Sequence, residues 1–189
     1  MSGARYNPIL DLDQGVDREH VWPVSHCEKY VQQCCDGEGR PPKAKKARKI
    51  EKGKDKESVP STPMHAAVAA HNSLPSLQRN PSVKALYGLW LGRVCRTASH
   101  ELGHCFGIAH CVYYACAMQS TASIIEDSRQ PPYLCPIDLA KVLTATRADV
   151  VGRYKALIAF CDQYKETQLL ASYAAWMAMR IEEEEHKTD

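Results

Sequence analysis

The sequence predicts a mainly helical fold with long loops, and three observations predict it. From Ser82 onward apolar residues recur by threes and fours, the period of one helix face. After residue 135, Pro136, Asp149 and Thr167 stand where helix-opening residues belong. Before Ser82 strand-like runs are few, and none recurs at the regular intervals of a sheet. A chain of 189 residues suffices for one domain of ordinary size, or for one domain and a disordered stretch.

In chain order, residues 1–35 read largely as loop. Their apolar content is two small groups, Ile9, Leu10 and Leu12, then Val21, Trp22 and Val24, with Pro8 and Pro23 interrupting regular structure. Residues 36–62 are crowded with Lys, Arg, Asp and Glu and hold too few apolar side chains to offset their ordering entropy, which predicts disorder. Within them PPKAKKARK is a basic cluster of nuclear-localisation type; a solvated linker with no address function explains it equally well. Residues 63–80 read as a continuing irregular connection. Val83, Leu86, Leu89, Trp90 and Val94 then mark a long helix, with Gly92 a candidate break and Gly107 its end. Residues 108–135 read as loop. Pro136 opens a short helix through Leu143, Asp149 caps one over 150–165, and Thr167 caps a last helix to about Glu184. The domains expected are thus a remnant of an N-terminal subdomain (1–35), a basic linker or insertion (36–80), and a helical unit (81–189).

Net charge is +2, so no global field favours nucleic acid or a membrane surface as a partner. No apolar run approaches the roughly 18–20 residues of a membrane helix. The segment MSGARYNPILDLDQ lacks the apolar centre of a secretory signal, which predicts a cytoplasmic location, or a nuclear one if the basic cluster acts as an address. Nine cysteines is a high count for such a chain, and in a reducing compartment they are metal ligands, buried thiols or reactive thiols before they are disulfides. Cys105, Cys111, Cys116 and Cys135 cluster in one stretch. Cys27, Cys34, Cys35, Cys95 and Cys161 are scattered, and the default for each is a small buried apolar residue.

The stretch His100–His110 reads HELGHCFGIAH, with the spacing H-E-x-x-H-x-x-G-x-x-H. His100 and His104 project from one face of a helix and can grip one Zn²⁺. Glu101 lies beside them without ligating, in the position of a general base. Gly107 lets the chain turn, because glycine alone takes positive φ without steric cost, and the turn brings back His110 as third ligand. Three protein nitrogens leave one position open, which is how a catalytic zinc differs from a structural one. A surface helix that happens to carry histidines would explain His100 and His104 alone, but not Gly107 and His110 as well.

After His110 come CVYYACAM, sixteen residues, and CPID. Thiolates so spaced in a loop suit a structural tetrahedral zinc, and a set of buried thiols in a cysteine-rich chain would read the same way. Taken together, HELGHCFGIAHCVYYACAM and CPID resemble the archaemetzincins, zinc metallopeptidase-like proteins of the metzincin type. The clear match covers residues 97–141, and YKALIAF at 154–160 extends it weakly. The resemblance implies His100, His104 and His110 as catalytic-zinc ligands, with Glu101 as general base. It implies Met118 as a methionine supporting the zinc from beneath, and Cys111, Cys116 and Cys135 as ligands of a second, structural zinc. It also implies a fold class, an α+β metzincin-like zincin, here lacking much of the N-terminal β-sheet.

Two departures qualify the resemblance. The family's fourth cysteine falls at Asp138, where a carboxylate can ligate zinc as a harder and weaker donor. Upstream, the sheet whose edge strand would bind substrate is not legible, so the chain looks like the C-terminal part of such an enzyme. The implied activity is hydrolysis of peptide or protein substrates by a zinc-activated water, with Glu101 moving the proton and Tyr113 or Tyr114 a candidate for stabilising the oxyanion. The competing expectation is a catalytically inactive zinc-binding or protein-interaction protein derived from a truncated metallopeptidase.

Overall fold

A computed structural model describes residue 16 and residues 21–27, 62–75 and 82–186. Among the described residues there are six α-helices: α1 Pro63–Ser73, α2 Val83–Cys105, α3 Ile124–Arg129, α4 Pro136–Thr146, α5 Val150–Cys161 and α6 Gln168–Glu185. Short 3-10 turns occupy Val24–His26 and Asp162–Tyr164, and no strand occurs among the described residues. The mainly helical expectation is met there. The basic cluster, Cys34, Cys35 and the Ile9 group lie outside the described residues.

Helix α1 corrects the irregular connection expected over 63–80. The Thr62 hydroxyl accepts from the His65 N–H at 3.2 Å, and Pro63 occupies the first turn, where its missing N–H costs nothing. The Ala-rich stretch has good helix propensity but little sequence amphipathicity. Its packing against α6, which buries Ala66, Ala67 and His71, supplies the stability that so short a helix lacks alone.

Helix α2 starts where the Ser82 hydroxyl accepts from the Ala85 N–H at 3.2 Å, and it runs unbroken through Gly92. Gly92 is a close-packing point and not a break: a Cβ there would lie 3.2 Å from Leu169 Cδ2, and one at Gly88 would lie 2.8 Å from Thr167 Oγ1. The start of α6 therefore crosses α2 on its glycine face. The apolar stripe points elsewhere, and Val83 is 69% exposed, with Leu86, Tyr87 and Trp90 exposed after it. The buried residues of α2 are instead Gly92, Arg93, Arg96 and Gly103.

The remaining helices follow their punctuation closely. Pro136 opens α4, which runs to Thr146, three residues past the expected end, and stops at Arg147 in the left-handed region (φ 55°). The Asp149 carboxylate accepts from the Gly152 N–H at 2.6 Å and caps α5. Thr167 precedes α6 but makes no side-chain cap, because its side chain packs on Gly88 and Gly92.

Two apolar clusters result. The larger joins Trp22, Ala67, Tyr154, Cys161, Leu170, Tyr173, Met177 and Ile181 between α1, α5 and α6. Trp22 enters it from the N-terminal segment, its backbone N–H donating to Ser128 O at 3.0 Å and its ring edge-on to Tyr133 and Tyr173. The smaller cluster joins Ile108, Cys116, Met118 and Cys135, directly beneath the end of α2. No helix among the described residues is long and apolar enough to cross a membrane.

Candidate metal centre

The last turns of α2 present His100 and His104 on one face, their ring centroids 4.8 Å apart. Phe106 caps the helix and Gly107 follows at φ 74°, a conformation that favours glycine. The Gly107 N–H donates to His104 O at 2.9 Å and the Ile108 N–H to Gly103 O at 3.1 Å, which satisfies the terminal carbonyls as the chain reverses. Ile108 is buried and anchors the return. His110 then faces the other two rings, with centroids 5.3 Å from His100 and 5.0 Å from His104. One ring nitrogen of each histidine lies within 4.8 Å of the others.

Hydrogen bonds fix how two of these rings point. His100 Nδ1 lies 2.7 Å from Ala117 O and His104 Nδ1 lies 2.8 Å from Ile108 O. A carbonyl only accepts, so both Nδ1 atoms carry the proton, and in the neutral form of each ring Nε2 presents its lone pair. Those two Nε2 atoms stand 3.2 Å apart. Two lone pairs facing at that distance repel unless a cation lies between them. Ligands bound to zinc at roughly 2.0–2.1 Å with near-tetrahedral angles stand about 3.3 Å apart, so the donor set fits that ion. Backbone carbonyls holding the second nitrogen are the usual support of metal-binding histidines.

Glu101 is exposed on α2, next in sequence to His100, and is not among the converging nitrogens. Tyr113, 87% exposed, and Tyr114 stand on the loop that follows His110. Met118 is fully buried against α2 at Gly103, where an added Cβ would fall 2.8 Å from the Met118 Cε and closer still to Sδ. Cys105 is exposed and apart from the sulfur cluster described next.

Behind the histidines, Cys111, Cys116, Cys135 and Asp138 bring one ligand atom each within 4.8 Å of the others. Asp138 Oδ2 lies 3.5 Å from Cys116 Sγ and 3.4 Å from Cys135 Sγ. Zinc ligands of these types, at roughly 2.3 Å for sulfur and 2.0–2.2 Å for oxygen, stand about 3.6 Å apart. The sulfurs accept backbone N–H groups: Met118 N at 3.4 Å and Cys135 N at 3.2 Å on Cys116, and Asp138 N at 3.4 Å on Cys135. Burial pushes the Cys116 thiol up to about 12 and also raises Cys135. At Cys111 the upward push of burial is outweighed by the backbone N–H groups of Tyr113 and Tyr114, so its thiol falls below the usual value. Burial likewise opposes ionisation of Asp138, but bonds from Lys141, Cys135 and Cys116 outweigh it and hold the carboxyl low. Lys141 Nζ reaches Asp138 Oδ1 at 3.0 Å, leaving Oδ2 to face the sulfurs. Buried thiols with N–H donors and a shared carboxylate are a donor set that a thiophilic cation satisfies.

The structure brings His100, His104 and His110 into one group and Cys111, Cys116, Cys135 and Asp138 into another. Sequence reading missed Gly103, whose bare Cα admits Met118. It also missed Gln130, a buried residue whose side-chain nitrogen donates to Ala117 O at 2.9 Å and Gln119 O at 2.7 Å. A glycine between two candidate ligand histidines was a legible signal for the first; nothing in the spacing pointed to the second.

Residues 67–142 match the family described as Peptidase family M54. Archaemetzincin-2 of Homo sapiens is 40% identical over 87 residues, 46% of this chain and 24% of that protein. Archaemetzincin-1 of Homo sapiens is 35% identical over 107 residues, covering 56% of this chain and 22% of the relative. Archaemetzincin of Pyrobaculum aerophilum is 37% identical over 54 residues, 27% of this chain and 35% of that protein. The chain thus spans about a quarter to a third of the length of these relatives. No solved structure matches it. The resemblance to the archaemetzincins holds over residues 67–142, the stretch that matches peptidase family M54.

Proposed function

We propose that this chain carries the zinc-binding half of a metallopeptidase of the α+β zincin type, hydrolysing peptide bonds with Glu101 as general base. The observation that carries the reading is the convergence of three histidines, two with Nδ1 tied to carbonyls and Nε2 turned to a common point, beside an exposed carboxylate. His100, His104 and His110 would hold a zinc with one position open. Cys111, Cys116, Cys135 and Asp138 would hold a second, structural one. Zinc held by these histidines would supply Lewis-acid polarisation of a scissile carbonyl and would lower the pKa of water toward ~7.

The chain's own residues do the rest. Glu101, one position along α2 from His100, takes a proton from the attacking water on a carboxylate oxygen and returns it to the leaving nitrogen. The Ala117 and Ile108 carbonyls keep His100 and His104 in one tautomer throughout. Met118, packed on Gly103, fixes the floor between those two histidines. Residues 81–189 form the zinc-binding unit in this reading, and residues 1–35 belong to an N-terminal subdomain.

The test is Glu101→Gln. Hydrolysis of a peptide library should fall by roughly 10²–10⁴-fold, the usual share of a general base, while zinc at the histidines is retained. Zinc binding with no hydrolysis in the parent chain, unchanged by Glu101→Gln, would leave a zinc-binding protein and remove the peptidase reading.

A further inference from the structure

We infer that Gln130 is a positioning residue for the three-histidine site, clamping the segment 117–119 so that Ala117 O orients His100. The inference rests on the zinc reading above.

The side-chain amide of glutamine has two donor hydrogens and one nitrogen to carry them. Gln130 spends both on one short segment, at 2.9 Å to Ala117 O and 2.7 Å to Gln119 O. Those carbonyls flank Met118, whose own carbonyl accepts from the Cys111 N–H at 2.8 Å. Three consecutive carbonyls are thereby fixed, two by Gln130 and one by the residue that follows His110. The Met118 side chain is pressed against Gly103. The carbonyl that takes one Gln130 hydrogen is the same one that takes the His100 Nδ1 proton at 2.7 Å.

Gln130 is itself anchored. Its N–H bonds Glu126 O at 3.1 Å and Asp127 O at 3.2 Å at the end of α3. Asp127 O also accepts from the buried guanidinium of Arg96. Arg96 lies on α2 one turn before His100, so the bonds form a closed ring. They run from Arg96 to Asp127 O, to Gln130, to Ala117 O and back to α2 at His100. A ring that begins and ends on the metal-binding helix, through a buried amide, holds the imidazole's partner in register with the imidazole. The simpler account is that Gln130 only satisfies two loop carbonyls and would matter for folding alone.

The two accounts separate in metal-binding measurements on the full chain. Zn²⁺ affinity of the histidine site is read by chelator competition. Co²⁺ substitution then reports the two sites by different bands, ligand-field for the histidines and thiolate charge-transfer for the cysteines. Gln130→Met keeps the volume and removes both donors. It should weaken the histidine site by roughly 10–100-fold, the usual cost of losing an outer-shell partner, and alter its ligand-field spectrum. Helical circular dichroism and the thiolate band should persist. Gln130→Asn keeps both donors on a shorter stem and should weaken the site less than Gln130→Met. An unchanged histidine site in Gln130→Met overturns the inference. So does equal loss of both sites together with helical signal, which marks a folding role alone, and so does Gln130→Asn proving the more harmful. A parent chain that binds no metal at the histidines is a different outcome, which removes the zinc reading itself.

Discussion

Met118 packs directly on Gly103, where the absence of a Cβ on α2 leaves room for its thioether. Gly103 lies between His100 and His104 in the chain, next to His104, and the Met118 carbonyl accepts from the Cys111 N–H. One methionine thus touches the helix that carries two histidines and the loop that carries the third.

Gly103→Ala should therefore do more than remove a flexible residue. Alanine raises helix propensity, which alone would stabilise by up to about 1 kcal/mol. The added methyl group collides with the Met118 thioether, and overpacking of this kind costs about 1–3 kcal/mol. Denaturant unfolding should show a net loss of stability, with weaker Zn²⁺ binding at the histidines. A stabilised variant with unchanged zinc affinity would mean that Met118 moves aside freely.

Asp138 offers a second test, because its oxygen faces two buried sulfurs while Lys141 holds the other oxygen. Asp138→Cys replaces a hard donor by thiolate and should tighten Zn²⁺ at the cysteine cluster, whereas Asp138→Ala should weaken it. Chelator competition on the three proteins gives the order. Equal affinity in all three would show that Asp138 takes no part.

These two sites were legible in the sequence to different depths. The spacing of His100, His104, Gly107 and His110 is local: helix periodicity and one left-handed glycine place all three imidazoles, and no distant contact is needed. Asp149 was legible as a cap for the same reason, since a cap bonds within its own helix. Helix α1 was not, because its helicity depends on α6, more than ninety residues away in the chain. The apolar stripe of α2 predicted the helix but does not mark its buried face, since glycines let α6 approach from another side. Gln130 carries no periodic or motif signal, and its two bonds exist only once residues 117–119 are folded beside it.

Alkaline pH should destabilise the larger core. Burial raises Tyr173 from the ordinary value of 10 to about 12 and Cys161 from 9 to about 11. Both groups favour the protonated form when folded, so their contribution is complete below about pH 9 and is lost as pH rises from there towards 12. Melting temperature should fall across that window, and Tyr173→Phe should make the fall shallower. A melting temperature flat across the window would contradict the burial of these groups.

The central claim is that three histidines and the four residues of the cysteine cluster form two separate metal centres, and metal analysis of the purified chain tests it most directly. The account predicts two zinc ions per chain, falling to one in His104→Ala and to one in Cys116→Ala. A single zinc that survives His104→Ala, or none in the parent chain, would contradict it.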